Sequence, residues 1–121
     1  MPSVFSRCVL SLVLILAGMN RALAIEGDYT VKQLAEDCDS DDKMLQLNCF
    51  SYFLGFSNAL YASASLYGAD IPICYPPDGV SAGDMILAFR LWSSTNPDMG
   101  ENAAGSGILM ALVQRFPCKP K

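Results

Sequence analysis

The chain has 121 residues, 8 Lys and Arg against 12 Asp and Glu, five Cys, no His, and 52% apolar residues. That length suits one domain and that apolar content excludes a disordered chain. The absence of His excludes Ser-His-Asp and Cys-His nucleophile pairs and nearly all catalytic zinc sites, and a net charge of −4 argues against nucleic acid as a partner.

The first 24 residues read as a cleaved leader. Arg7 closes a weakly basic start, Cys8–Gly18 is an apolar run, and Ala22-Leu23-Ala24 is the small-x-small pattern that precedes cleavage. The run is too short for a membrane span, which needs about 20 apolar residues. Export to the periplasm with cleavage after Ala24 is expected, leaving residues 25–121 as a single helical domain. Arg7 and Arg21 leave with the leader and no acid does, so the net charge moves from −4 to −6. A domain this small buries a limited core, and covalent support is expected.

Thr30-Val31-Lys32-Gln33 has the form of a capping box. It predicts a short first helix to about Cys38, with Val31, Leu34 and Ala35 on its inner face. Asp39-Ser40-Asp41-Asp42 then competes for backbone hydrogen bonds and ends it. The second helix is predicted over Met44 to Tyr67, with Phe50, Phe53, Leu54, Leu60, Tyr61 and Ala64 at helical spacing. Gly55 inside it costs about 1 kcal/mol against Ala, so close approach of a neighbouring helix is expected there. Gly68 is the natural stop.

Residues 69–80 hold three prolines and form a loop pinned at Cys74. Ser81 with Asp84 repeats the capping signal and opens a third helix to about Ser94, its core face being Met85, Ala88, Phe89 and Trp92. Asn96-Pro97 is read as the start of the fourth helix. Gly100, Gly105 and Gly107 weaken its first half, whereas Ile108, Leu109, Leu112, Val113 and Phe116 make the second half firmly amphipathic. The fold class is all-α, a small disulfide-linked bundle of four helices.

With Cys8 removed, Cys38, Cys49, Cys74 and Cys118 remain, an even set in an oxidising compartment. Their spacing does not suit zinc. Short connections make neighbouring helices antiparallel, which brings Cys38 to Cys49 at one pole and Cys74 to Cys118 at the other. These pairings are worth roughly 3 and 4 kcal/mol by loop entropy.

Several clusters carry the residue types of a possible site. Asp37, Asp39, Asp41 and Asp42 fall short of a calcium loop, because Asp42 and Asn48 stand where Gly and Glu are needed; a solvated turn is the simpler reading. Asp70, Asp78, Asp84 and Asp98 offer no favoured pair for glycosidase chemistry. No enzyme, metal or cofactor is expected. Of Tyr52, Tyr61, Tyr67, Tyr75 and Trp92, most are assigned to the core and Tyr75 to the outside. The polar segment Ser93–Glu101 can act as a plug for another protein's cleft, or equally be an ordinary connection between helices with no task of its own.

The order Leu34…Cys38…Cys49-x-x-Tyr52-x-x-Gly55-Phe56, Cys74-x-Pro76, Gly79-Val80-Ser81, Asn96-Pro97, Ala111-Leu112…Phe116-Pro117-Cys118 resembles the Rap/Tai family of type VI secretion immunity proteins. The resemblance covers about residues 30–118. It implies a periplasmic inhibitor, often a homodimer, that occludes the cleft of a peptidoglycan amidase effector in which a Cys-His pair cleaves the γ-D-glutamyl–diaminopimelate bond. The motif residues are mostly scaffold, so the contact residues are nominated on other grounds: Ser94, Asn96 and Asp98 first, Tyr75 and Asp78 second. Neither nucleic acid nor, after leader cleavage, a membrane is an expected partner. The competing reading is an acid-stress chaperone of the HdeA type, or a helical binding module for another partner.

Overall fold

The computed structural model describes residues 29–119, and the predicted leader lies outside them. Among the described residues are α1 (Val31–Asp39), α2 (Lys43–Tyr67), α3 (Ala82–Thr95), a 3₁₀ turn (Pro97–Met99) and α4 (Ala104–Arg115). No helix among them is long and apolar enough to cross a membrane.

The local signals set most helix ends. Thr30 accepts from the Gln33 amide while the Gln33 side chain accepts from the Thr30 amide, so the capping box is complete. Asp42 accepts from Met44 and Leu45 and caps α2. Gly68 closes α2 in the left-handed conformation, φ 63°. At α3, the Ser81 hydroxyl and amide both donate to Asp84, and Ser81 accepts from the Asp84 amide. These bonds to the ionised carboxylate hold the Asp84 pKa below its ordinary value. The cap is therefore intact above the usual carboxylate range and is lost as pH falls through that lowered pKa.

Helix α3 is the hub, packing against each of the other three helices. Its inward positions are Met85, Ala88, Phe89 and Trp92, as the spacing predicts. Phe89 meets Phe53 of α2 edge-to-face at 5.6 Å between centroids, and both rings are fully buried together with Leu34, Ile108 and Leu112. Each such side chain contributes about 1.5–3 kcal/mol by leaving water. Both disulfides form as the topology requires, Cys38–Cys49 between α1 and α2 and Cys74–Cys118 between the 69–80 loop and the end of α4.

The fourth helix differs from expectation. It begins at Ala104, not at Asn96-Pro97, and Asn96 makes no side-chain cap to the 3₁₀ turn. The cause lies across the molecule. The first amides of α1 have no partner in their own helix; Val31 donates instead to the Asn102 carbonyl at 2.8 Å and Lys32 to the Gly100 carbonyl at 2.9 Å. Ala104 returns a bond to the Tyr29 carbonyl at 2.7 Å. A continuous helix over 97–104 would consume those carbonyls. Residues 100–104 are consequently strapped to α1. Gly107 is a close-approach position: a Cβ there would lie 2.5 Å from Val31 Cγ2 and 3.2 Å from the Trp92 ring.

Three further expectations are corrected. Gly55 has no close neighbour from another element among the described residues, since a Cβ there would meet nothing within 4 Å. The core face of α2 is Cys49 and Phe53, flanked by half-buried Tyr52, Phe56 and Leu60, while Phe50, Leu54 and Tyr61 are exposed. Tyr75, expected outside, is half-buried, its ring 5.3 Å from that of Phe116 and its hydroxyl 3.7 Å from Met85 Sδ. Tyr61 and Tyr67 are the exposed tyrosines instead.

The acidic cluster is divided among structural tasks. Asp37 accepts from the Tyr29 hydroxyl and from Asn48, joining the segment before α1, α1 itself and α2; Asp39 pairs with Arg90; Asp42 is the α2 cap. Burial, then the Asp37 carboxylate, raises the Tyr29 pKa well above the ordinary tyrosine value of about 10. The sign follows: this contact contributes fully below pH about 10 and is lost as pH rises toward the elevated pKa. Alkaline spectrophotometric titration of the native protein is expected to show a late phenolate component. Tyr29→Phe should shrink it to the share of Tyr75, whose pKa burial also raises; an unchanged late component refutes the Tyr29–Asp37 bond.

Candidate partner-binding surface

The nominated contact residues occupy the two ends of α3, a span of about 20 Å for its 14 residues. Ser94, Asn96 and Asp98 lie at its C-terminal end, Tyr75 and Asp78 before its N-terminus. The structure does not bring the two sets together.

Ser94 and Asn96 of the C-terminal set border an open groove of about 810 Å³ between α1 and α3. Val31, Lys32 and Glu36 form one wall, Arg90 and Ser94 the other, and Asn96, Pro97, Gly100 and Glu101 the end. Asp98 is exposed on the 3₁₀ turn and does not line it. Ser94 Oγ donates to the Leu91 carbonyl at 2.9 Å, and the Asn96 side-chain amide to the Trp92 carbonyl at 2.7 Å. Both therefore spend polar atoms on closing α3. The segment expected to stand out as a plug is instead a braced rim, held on its far side by the α1 strap.

Sequence reasoning did not anticipate the opposite wall. Lys32 and Glu36 flank the predicted inner face of α1 and could have been placed near a groove edge. Arg90 and Asp39, far apart in sequence, form their ion pair only because α1 crosses α3. With both side chains about half exposed, the pair adds about 0.2–1 kcal/mol, so its main effect is to set the position of a guanidinium at the groove. The lining carries Lys32 and Arg90 against Glu36, Asp39 and Glu101. No cluster of His, Cys, Asp and Glu among the described residues could hold a metal ion. What the surface offers is an apolar floor, mixed charge at the edges and a rigid polar rim, which suits a protein segment better than a reacting small molecule.

The Rap1a immunity protein family matches residues 30–118. The chain belongs to the Rap1a immunity proteins. The matched span runs from the α1 cap to Cys118 and so takes in both disulfides, the strap and the groove. No curated protein and no solved structure matches the chain. As a Rap1a immunity protein, the chain acts by binding a partner effector. The family match concerns the whole helical body and assigns no task to a particular residue.

Proposed function

We propose that this Rap1a immunity protein is exported to the periplasm, its leader cleaved after Ala24, and that it inhibits a type VI peptidoglycan amidase by covering the effector's active-site cleft. The family match over residues 30–118 carries the reading, and the braced rim supports it. A partner surface already fixed before contact loses little entropy on binding. Ser94 and Asp98 are both exposed, and together with Asn96 they are the proposed contacts. The chain performs no reaction itself. Its net negative charge speeds encounter with a basic effector.

The test is hydrolysis of a γ-D-glutamyl–diaminopimelate peptide by the cognate Cys-His amidase, titrated with the oxidised immunity protein. Ser94→Arg with Asp98→Lys gives up the Ser94 hydroxyl bond to the Leu91 carbonyl but keeps the α3 cap made by Asn96, and unchanged helical circular dichroism checks that the fold is retained. It is expected to weaken inhibition about 100-fold, corresponding to the loss of a buried interfacial polar contact, about 2–5 kcal/mol. Undiminished inhibition moves the contact to the other end of α3, where Asp78 and Tyr75 are the second set. Failure of the unmodified protein to inhibit any amidase encoded beside it sinks the amidase reading itself.

A further inference from the structure

The two disulfides sit in opposite surroundings. Cys49 is 2% exposed and belongs to the core, and half-buried Cys38 packs against that core. Both lie inside helices, α1 and α2. Cys74 and Cys118 are both exposed, and neither belongs to the core cluster. They stand in irregular chain, Cys74 in the 69–80 loop and Cys118 beyond the end of α4. Thiol–disulfide exchange requires a thiolate to reach one sulfur of the bridge, so access governs its rate, and exposed bridges are the labile ones. The contacts around the exposed bridge do not depend on its sulfurs. The Cys74 amide donates to the Phe116 carbonyl at 2.9 Å, the Tyr75 ring packs on Phe116, and Ile73 is buried. Residues 73–75 therefore stay against the end of α4 when the S–S bond is cut, and the two thiols remain neighbours.

We propose that Cys74–Cys118 is a thiol-exchange site, cut and resealed by a dithiol while the fold persists, and that Cys38–Cys49 is a permanent crosslink. The charges along the chain set the direction of attack. Lys119 directly follows Cys118, and its ammonium favours negative charge on that sulfur. The charged residues nearest Cys74 in sequence are Asp70 and Asp78, which disfavour it there. The sulfur that better carries the charge leaves faster. The reductant's thiolate accordingly attacks Cys74 Sγ, the S–S bond breaks, and the electron pair departs on Cys118 Sγ, which takes up a proton. The reductant's second thiolate then attacks its own sulfur in the mixed disulfide and releases Cys74, which is protonated in turn. The dithiol is oxidised to a disulfide as the bridge gains two electrons, and the oxidised dithiol reverses both steps. No residue lining the α1–α3 groove comes from the 69–80 loop or from beyond α4, so that surface is the same in both redox states. What changes is the tether: the reduced loop opens more readily than the rest of the body.

Differential alkylation of the full oxidised chain tests this without any effector. Free thiols are first blocked with iodoacetamide. Dithiothreitol is then added without denaturant, and samples quenched at intervals with N-ethylmaleimide are mapped by peptide mass. Cys74 and Cys118 are expected to take the second label together, at a rate proportional to dithiothreitol. Cys38 and Cys49 should follow at least about 100-fold more slowly, because they wait for the core to open. Helical circular dichroism should hold while the first pair is labelled. A reduced Cys-x-x-Cys protein in place of dithiothreitol should label the same two cysteines and assign the site to a protein dithiol; labelling by dithiothreitol alone assigns it to small dithiols. Glutathione, with one thiol, should stop at a mixed disulfide on Cys74, and an adduct on Cys118 overturns the direction of attack. Labelling of all four cysteines at one rate overturns the proposal. So does loss of helicity with the first label, or the absence of any second label short of unfolding. None of these outcomes touches the immunity reading, which stands or falls separately.

Discussion

Replacing Cys74 and Cys118 together by serine is expected to lower the unfolding free energy by about 4 kcal/mol, the loop-entropy value for a closure over 44 residues. The bridge ties the proline-rich 69–80 loop to the end of α4. Without it, the loop is held by the Cys74 amide bond to the Phe116 carbonyl, the Tyr75 contacts with Phe116 and Met85, the burial of Ile73 and the partial burial of Ile71 and Val80. For a domain of this size the change corresponds to a fall in Tm on the order of 20 °C, measurable by thermal circular dichroism. The Cys38–Cys49 pair closes only 11 residues and its removal should cost less, about 3 kcal/mol. If the Cys74–Cys118 variant loses less than about 1 kcal/mol, the side-chain contacts alone anchor the loop and the bridge is dispensable.

The second large effect concerns one hydrogen atom's worth of space. Gly107→Ala should destabilise the fold by about 2 kcal/mol, even though alanine is the better helix former by about 1 kcal/mol. The added methyl group would sit 2.5 Å from Val31 Cγ2, 3.2 Å from Trp92 and 3.4 Å from Phe89. All three are buried, so none can swing away cheaply, and overpacking of this kind costs about 1–3 kcal/mol. Steric cost wins because Val31 is also the first residue of α1 and its amide is bonded to Asn102. Gly105→Ala is the control in the same helix: its nearest neighbour would be the Phe56 ring at 3.8 Å, an ordinary contact, and no loss of stability is expected. Urea unfolding of the two variants decides the matter. Equal stabilities would mean that α4 shifts freely along α1 and that the strap is not rigid.

Legibility in the sequence followed the range of the interactions. The α1 and α3 caps, the Gly68 stop and the inward face of α3 depend on residues within one or two helical turns, and each was readable. The disulfide pairing needed only the alternation of helix direction. What failed depended on distant partners. Asn96-Pro97 carries a sound helix-start signal, but the carbonyls beyond it are claimed by Val31 and Lys32. Phe50, Leu54 and Tyr61 have core spacing on a helix that is apolar on two sides, and periodicity cannot tell which side meets its own chain. Tyr75 lies in a polar, proline-rich loop whose composition suggests exposure, yet the neighbouring disulfide pulls its ring onto Phe116. At the candidate site the Ser93–Glu101 segment was nominated from its composition, though as a plug and not as a rim, and the opposite wall was not foreseen, because Arg90 reaches Asp39 only through the crossing of α1 over α3.

The two bridges also differ in where their cysteines fall along the chain, and this orders their formation. As the polypeptide emerges from its N-terminus, Cys49 follows Cys38 closely, and both flank a turn whose caps are encoded locally. That crosslink can be sealed while the rest is still being made. Cys74 and Cys118 both follow that first pair, so the two bridges lie one after the other along the chain and neither loop interleaves with the other.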